Sequence, residues 1–409
     1  MRTNDMKRTV AIVLAGGSGS RLSPLTLHRA KPAVHFGGKY RIIDFTLSNC
    51  LHSDIRRILV LTQYCSHSML KHLRDGWSIL APEMNEYITT VPAQMKHGNH
   101  WYKGTADAVF QNIDLLRWSD AKYIAVLSGD HIYRMDYAVM LKYHIERGAE
   151  ATVACTTVAR EVASGFGVVG VDASMQINAF DEKPAEPNVM PGSPDQSLVS
   201  MGIYIFNKNR LIEMLEADQA NFNSTHDFGS DVIPAWLGQG KVMAFMFGEE
   251  CGRVSQDRYW RDVGTIDSFY AANMDLLEPI PKLNLYQEDW SVRTYNDQHP
   301  PCRTGASASG RHEKLDNVIM NGGSLVIGAS VKHSILSSYV FIDEEAEVED
   351  CIVFGDVRIG KGVKLRRCIV DKHVTIPDGE VIGFDRVKDS TRFTVSESGI
   401  TIIPVGYCF

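Results

Sequence analysis

The chain has 409 residues, of which 44% are hydrophobic and 22% are charged, and its formal net charge is −7. This length favours two domains, and the composition is that of a folded globular protein. The negative charge argues against a broad nucleic-acid or membrane-binding surface. We find no signal-peptide core, no apolar run of about 18 residues and no CxxC pair among the eight cysteines, so we expect a cytoplasmic protein with reduced thiols.

The first 290 residues alternate short apolar runs with helical patterns. This alternation predicts an α/β domain with a Rossmann-like, mostly parallel sheet covered by helices. Ligands of such sheets bind beyond the carboxyl ends of the strands, where the stretches LAGG and SGDH lie. The stretch 105–118 has helical periodicity, and Thr105 is expected to cap its first turn. The predicted strands are TVAIVLA, IRRILVLTQ, KYIAVLSGD, EATVACTTV and GIYIFN.

A glycine-rich loop follows the first predicted strand in the stretch LAGGSGSRL. Gly16, Gly17 and Gly19 permit positive φ angles and let backbone N–H groups approach a phosphate. Arg21 adds a fixed positive charge. The loop is not a dinucleotide fingerprint, because Leu22 stands where the third glycine is needed, and it lacks the GKS or GKT of a P-loop. A plain strand–helix turn is the alternative that the glycines alone leave open.

A change of pattern divides the rest of the chain. Residues 291–314 are rich in proline, glycine and serine and are interpreted as a linker between a catalytic domain, 1–290, and a second domain, 315–409. In the second domain apolar residues recur every 17 residues, which predicts a left-handed parallel β-helix, with a β-sandwich as the alternative. We expect the tail after residue 383 to cap one end. The registers are Ile335, Ile352 and Ile369; Val340, Val357 and Val374; Ile342, Ile359 and Ile376; and Val348, Leu365 and Ile382, with Leu325 and Val331 extending them upstream.

Longer motifs carry a family resemblance. The glycine loop continues as RAKPAVHFGGKYRIIDFTLSN, and this signature resembles that of sugar-nucleotide pyrophosphorylases, most closely the bacterial ADP-glucose pyrophosphorylases, or glucose-1-phosphate adenylyltransferases. Further blocks resemble that family in its own order over nearly the whole chain: NHWYKGTADAV, GDHIYRMDY, SGFGVVGVD, FDEKPAEP, VSMGIYIF, HDFGSDVIP and YWRDVGTID. The resemblance implies conversion of ATP and α-glucose 1-phosphate into ADP-glucose and diphosphate, the first committed step of bacterial glycogen synthesis. It also implies a homotetramer that small anionic effectors regulate.

The implied reaction needs charge stabilisation rather than a protein nucleophile, because the sugar phosphate is already largely dianionic near neutral pH. Positioning and electrostatics should supply the catalysis. Asp130 and Asp262 are the predicted ligands of the Mg²⁺ cofactor, since this ion prefers carboxylate oxygens. Arg21 and Lys31 are expected at the triphosphate, and the resemblance places Lys183 at the sugar phosphate. Together with Asp130, these three cations form the predicted catalytic set.

The resemblance also implies two substrate-binding sets. A sugar pocket needs hydroxyl and amide partners for the glucose hydroxyls, and a glycine in it is expected to let the chain pass close to the sugar ring. The sugar set is Tyr102, Gly167, Glu182, Lys183 and Ser200. The nucleotide set is Leu14, Ala15, Gly16, Gly17, Gln63, Gln94 and Gly129, with Gln94 as the first candidate for adenine and Gln63 as the second.

Regulation is expected at Arg29, His35 and Arg41, which match basic residues that bind effectors in the family. Two departures from the family pattern bear on function. Ser18 stands where the glycine loop usually carries arginine, which removes a charge near the triphosphate. The tail GITIIPVGYCF lacks arginine and lysine, so we expect fructose 1,6-bisphosphate to activate weakly or not at all.

Two functional alternatives stay open at this level. The chain could use UTP, dTTP or GTP, because base choice depends on a few pocket contacts. It could instead be a non-catalytic regulatory subunit, a role that the change at Ser18 would suit. The presence of Asp130, Asp262, Lys31 and Lys183 argues against the second alternative and against a simple scaffold protein.

Overall fold

The computed structural model describes residues 2–96, 98–190 and 192–409. The helices are Arg2–Lys7 (α1), Ile42–His52 (α2), His67–Trp77 (α3), Thr105–Phe110 (α4), Ile113–Trp118 (α5), Tyr137–Glu146 (α6), Arg160–Ala163 (α7), Lys208–Gln219 (α8), Ile233–Trp236 (α9), Ile266–Met274 (α10) and Arg386–Ser390 (α11). The strands of the first part are Thr9–Ala15 (β1), His35–Phe36 (β2), Tyr40–Arg41 (β3), Arg57–Thr62 (β4), Tyr87–Pro92 (β5), Tyr123–Ser128 (β6), His131–Tyr133 (β7), Ala151–Ala159 (β8), Gly167–Val171 (β9), Ile177–Glu182 (β10), Gln196–Asn207 (β11), Val242–Met246 (β12) and Trp260–Asp262 (β13). The strands of the second part are Arg303–Gly305 (β14), Lys314–Met320 (β15), Leu325–Ile327 (β16), Ser330–Leu336 (β17), Val340–Ile342 (β18), Glu347–Glu349 (β19), Ile352–Val353 (β20), Val357–Ile359 (β21), Lys364–Arg366 (β22), Cys368–Val370 (β23), Thr375–Ile376 (β24), Val381–Ile382 (β25), Thr394–Val395 (β26) and Thr401–Ile403 (β27).

A large sheet forms the centre of the first part. Its strand order is β10-β9-β11-β6-β1-β4-β5, and β8 pairs with both β11 and β12. Strands β6, β1, β4 and β5 run parallel to one another. The long strand β11 runs antiparallel to β6, β8 and β9. The predicted α/β class is confirmed: the half of the sheet from β6 to the edge strand β5 is parallel, whereas the other half is mixed, since β12 pairs with β8 in parallel and the pairs made by β9, β10 and β11 are antiparallel.

Both faces of this sheet are buried, which explains why its strands read as continuous apolar runs. Val10 and Ile12 of β1 belong to a core shared with α4, α5 and α8. Their neighbours Ala11 and Val13 belong to a second core shared with α2, α3 and α6. Because β1 and β6 are parallel, with Leu14 opposite Ser128, the stretches LAGG and SGDH meet at the same edge of the sheet.

The helical stretch 105–118 differs from its prediction. It forms two short helices, α4 and α5, and Thr105 does not cap the first one. Instead the backbone carbonyl of His226 accepts the N–H groups of Ala106 at 2.9 Å and of Asp107 at 3.2 Å. A distant loop thus satisfies helix donors that we expected a local side chain to satisfy.

The segment interpreted as a linker contains ordered contacts with both parts of the molecule. The Arg293 guanidinium donates to the Gly76 carbonyl at 3.2 Å. Strand β14 lies within the same segment and pairs in parallel with β16 of the second part. The domain boundaries at 290 and 314 stay a prediction.

The second part is a stack of parallel strands, as predicted for a β-helix. Ile352 pairs with Ile335 and Ile369, and Leu365 pairs with Val348 and Ile382. The upstream extension through Val331 is confirmed, because this residue pairs with Val348. The extension through Leu325 is wrong by one residue. Val326, which is fully buried, pairs with Ile342, whereas Leu325 pairs with Phe341, so this coil is one residue shorter.

The periodic isoleucines do not all lie inside the β-helix. Leu336, Val353 and Val370 belong to its internal core. The preceding residues Ile335, Ile352 and Ile369 belong to a different core, which they share with aromatic side chains of the first part, Phe36, Phe45 and Phe269. The tail adds Ile402 to this column, because β27 pairs with β23. The column is therefore the apolar contact between the two parts of the molecule.

No helix among the described residues is long and apolar enough to cross a membrane.

Candidate active site

A cleft of about 630 Å³ opens where the parallel strands end. Its volume lies in the range of natural small-molecule sites. The cleft brings together predicted residues that are widely separated along the chain. Those that line it are Leu14, Ala15, Gly16, Gly17, Arg21, Lys31, Gln63, Tyr102, Asp130, Gly167, Glu182, Lys183, Ser200 and Asp262.

Two residues predicted for the nucleotide are not among the lining residues. Gln94 is exposed and lies outside the lining. Gly129 lies beneath the glycine loop, and its N–H donates to the Leu14 carbonyl at 3.1 Å. A Cβ at Gly129 would come within 2.9 Å of the Val13 side chain. The glycine is therefore needed for close packing of β1 against the chain after β6.

The glycine loop obtains its shape from one glycine rather than from three. Gly19 has φ +64°, whereas Gly16 and Gly17 do not adopt a positive φ. A Cβ at Gly19 would also lie 3.1 Å from the Cβ of Lys31. The turn at Gly19 thus packs directly on the backbone that carries Lys31.

A two-stranded ribbon brings the two predicted metal ligands together. Strands β7 and β13 are antiparallel, and Asp262 pairs with His131, the residue that follows Asp130. Ligand atoms of these three side chains all lie within 4.8 Å of one another. The Lys31 ammonium lies between the carboxylates, 2.8 Å from Asp130 Oδ2 and 2.9 Å from Asp262 Oδ1.

The charges of this cluster stabilise one another. Burial disfavours the ionised form of Asp130, but the Lys31 ammonium and His131 outweigh it and hold the pKa of Asp130 well below its usual range. Burial also disfavours the charged form of Lys31, yet Asp130 and Asp262 raise the pKa of Lys31 above its ordinary value. The carboxylate is therefore anionic and the amine cationic at neutral pH.

The opposite wall of the cleft carries a second ion pair. The Lys183 ammonium lies 2.6 Å from Glu182 Oε1. A Cβ at Gly167 would lie 2.9 Å from the other oxygen of Glu182, and one at Gly229 would lie 2.6 Å from it. The missing side chain at Gly167 thus makes room for protein groups, Glu182 and Phe180, rather than only for the sugar ring that we expected.

Two polar side chains of the cleft are engaged by protein groups. The Gln63 side chain accepts from the Tyr102 backbone N–H at 2.9 Å and donates to the Tyr102 carbonyl at 3.4 Å. Its amide therefore holds Tyr102 in place instead of being free to read a base. The Ser200 hydroxyl accepts from the Gly202 N–H at 3.2 Å and lies 3.5 Å from the Tyr204 hydroxyl.

Several residues that line the cleft had no predicted role in the site. Thr105 donates to Asp227 Oδ2 at 2.8 Å, which joins the start of α4 to the loop that contains Asp227. His131 and Trp260 make an edge contact with ring centroids 5.3 Å apart. Each of these four residues lies within a motif of the sequence, namely WYKGTADA, HDFG, SGDH and YWRD, and this position was the available sign that it belongs to the site. The motifs pointed to the site without saying which members face the cleft.

The three residues predicted for regulation meet at the boundary with the β-helix. Arg29 forms a buried ion pair with Asp371 at 2.8 Å. Arg41 donates to the Ser68 hydroxyl at 2.8 Å. Lys372, which was not among the predicted residues, adds a fourth basic group from the β-helix.

This cluster is electrostatically crowded. Burial, followed by the charge of Lys372, holds the pKa of His35 well below its usual value. Burial, followed by Arg41 and Arg29, lowers the pKa of Lys372 to about 8. Burial lowers the pKa of Arg41 to about 10. Although Asp371 pairs with Arg29, basic groups clustered in this way favour an anion.

Comparison with known proteins agrees with this arrangement. The nucleotidyl transferase family matches residues 10–279, and the GlmU-like C-terminal hexapeptide family matches residues 300–403. The chain is 57% identical over 404 residues to glucose-1-phosphate adenylyltransferase 2 of Vibrio cholerae, covering 99% of both chains. The chain belongs to the glucose-1-phosphate adenylyltransferase family.

Other glucose-1-phosphate adenylyltransferases are similar over almost their whole length. The protein of Paraburkholderia phytofirmans is 48% identical, with 98% of this chain and 97% of the relative covered. That of Yersinia pseudotuberculosis is also 48% identical, with 97% and 93% covered. The family is one of nucleotidyltransferase enzymes, and the resemblance found in the sequence is confirmed.

Proposed function

We propose that this chain catalyses Mg²⁺-dependent transfer of the adenylyl group of ATP to α-D-glucose 1-phosphate, giving ADP-glucose and diphosphate for bacterial glycogen synthesis. The observation that carries the proposal is the pair Asp130 and Asp262, which faces the glycine loop across one cleft. The cleft also contains the Glu182–Lys183 pair on its other wall. Two anionic substrates can therefore meet among cations and carboxylates.

The donor set at Asp130 and Asp262 fits Mg²⁺. Both offer carboxylate oxygens, which this ion prefers, and it commonly takes one or two carboxylates together with substrate phosphates. When bound, the cation would neutralise charge on the phosphates. The short bond from the Ser128 hydroxyl to Asp130 orients that carboxylate.

The chain's own residues position the reacting groups. An oxygen of the sugar phosphate forms a bond to the α-phosphorus of ATP, and the bond from that phosphorus to the diphosphate breaks. Lys183 would hold the sugar phosphate, while Arg21 and Lys31 would balance the charge of the triphosphate. No protein nucleophile takes part, so a trapped phosphoryl-enzyme would contradict this scheme.

The test is an assay of the purified chain with ATP, UTP, dTTP and GTP, each with glucose 1-phosphate and Mg²⁺. We expect ADP-glucose and diphosphate with ATP, and turnover at least about tenfold lower with the other nucleotides. Equal or faster turnover with another nucleotide would identify a different sugar nucleotidyltransferase. No turnover with any nucleotide, from a folded chain, would support a regulatory subunit.

We further propose a cytoplasmic homotetramer regulated by small anionic effectors that bind at Arg29, His35 and Arg41 together with Lys372. Support for the effector site comes from the crowded positive charge at the boundary between the two parts. The eight cysteines are free thiols, which suits a reducing compartment. Arg29 is paired with Asp371, so Arg41 and Lys372 are the stronger candidates for direct contact.

The pKa of Lys372, lowered to about 8, predicts a pH dependence of effector binding. The amine is charged below this value and neutral above it, so the affinity for AMP, chosen as a small phosphate-bearing probe, should fall about tenfold as pH rises from 7 to 9. The AMP phosphate stays dianionic throughout, because its second pKa is about 6. Calorimetric titration measures this affinity directly. The matched control Lys372→Arg should bind equally at both pH values, and a wild type without pH dependence would contradict the prediction.

A further inference from the structure

The position of Lys31 raises a question about the order in which ligands enter the cleft. Its ammonium is 2.8 Å from Asp130 and 2.9 Å from Asp262, so it bridges the two carboxylates. The Lys31 side chain is only 9% exposed. Its backbone lies in a short 3₁₀ helix, Lys31–Ala33, against which the turn at Gly19 packs. The amine is therefore held at this position rather than extended into solvent.

This position conflicts with a divalent cation that uses both carboxylates. Mg²⁺ lies about 2.1 Å from its oxygen ligands and keeps nearly octahedral geometry. A cation that touches both Asp130 and Asp262 would occupy the space that the ammonium fills, and it would meet a positive charge. The amine must therefore leave before the cation enters. Two carboxylates and one ammonium also leave a single net negative charge. One negative charge attracts a divalent cation less strongly than the two charges of the free carboxylates would.

A nucleotide changes this balance. Its triphosphate offers several anionic oxygens, to which a lysine ammonium binds as a point charge. Lys31 lines the same cleft as the glycine loop and Arg21, so its amine can exchange the carboxylates for phosphate without leaving the site. That exchange would free Asp130 and Asp262 to hold a cation that brings its own phosphate ligands.

We infer that Lys31 is the internal counter-ion of the Asp130–Asp262 pair, which keeps divalent cations from binding to the free enzyme and admits them together with the nucleotide. The inference rests on the metal-binding role of these aspartates in the proposed function. It predicts that a neutral residue at position 31 creates a cation site that needs no nucleotide.

The experiment titrates Mn²⁺ alone into the full-length chain without nucleotide, with free Mn²⁺ measured by electron paramagnetic resonance. Mn²⁺ accepts the same oxygen ligands as Mg²⁺. The wild type is compared with Lys31→Met, which keeps the length of the side chain, and with Lys31→Gln. The matched control is Lys183→Met, which removes a lysine of the same cleft that pairs with Glu182 instead. A double variant, Lys31→Met with Asp262→Asn, tests where the new site lies.

We expect Lys31→Met and Lys31→Gln to bind one Mn²⁺ per chain at least about tenfold more tightly than the wild type. Lys183→Met should match the wild type, and the double variant should lose the gain. Equal Mn²⁺ affinity in the wild type and in either folded Lys31 variant would overturn the inference. Tight binding of Mn²⁺ to the wild type without nucleotide would also overturn the inference, whether or not the variants fold. The assay of ADP-glucose formation is independent, so a failed proposed function would be recognised separately.

Discussion

Replacing Asp130 by asparagine should lower kcat about 10³-fold while the fold is preserved. The substitution keeps the size of the side chain and removes the negative charge that faces Lys31 and Asp262. Charge stabilisation by a metal ion in a transition state is worth several kcal/mol, and each 1.36 kcal/mol is a factor of about ten in rate. Steady-state measurement of ADP-glucose formation at saturating substrates gives kcat directly.

The control for this experiment is Asp114→Asn, which removes a partly exposed carboxylate that pairs with Arg117 on α5, outside the cleft. Its kcat should equal that of the wild type. The melting temperature of Asp130→Asn should show that the variant is folded. A kcat within tenfold of the wild type would mean that Asp130 does not carry the reaction, and the proposed mechanism would be wrong.

Replacing Ile352 by glutamate should lower the free energy of unfolding by at least about 3 kcal/mol. Ile352 is 1% exposed and belongs to the core between the β-helix and the first part of the molecule. A carboxylate at this position would be buried without a partner, which is among the most destabilising changes a core can undergo. Chemical denaturation followed by circular dichroism measures the effect.

Two further variants make the test specific. Val381→Glu places the same charge at a residue of the β-helix that is 39% exposed, and its effect should stay within about 0.5 kcal/mol. Ile352→Ala removes apolar contacts without adding charge and should cost about 2 to 5 kcal/mol. Similar stabilities of Ile352→Glu and Val381→Glu would show that the isoleucine column is not an interface in solution.

The local features of this protein could be predicted from its sequence. The strand that ends in LAGG, the strand that ends in SGDH and the repeat of 17 residues all depend on residues close together in the chain. Side-chain periodicity and glycine content report such features directly. The residues expected to line one cleft did so, except Gln94 and Gly129.

The 17-residue repeat determines strand pairing but not burial. A period of 17 residues places Ile335, Ile352 and Ile369 in one column, and their mutual pairing was predictable. The same period does not say which face of the strand is covered. Val353 points into the β-helix, whereas Ile352 contacts the first part of the molecule. Both side chains are apolar and buried, so their residue type does not tell them apart. Only docking of the two parts distinguishes them.

The charge network of the cleft was decided by the tertiary structure in the same way. The local pattern of the sequence indicated that Asp130 follows a strand and that Lys31 follows a glycine loop. It did not by itself place Asp262 beside Asp130, because that contact depends on antiparallel pairing of two strands far apart in the chain, and only the motif resemblance had paired the two as metal ligands. Nor did it place the Lys31 ammonium between the carboxylates or Lys372 beside Arg41. Such contacts arise from long-range register and domain docking, which short-range periodicity does not encode.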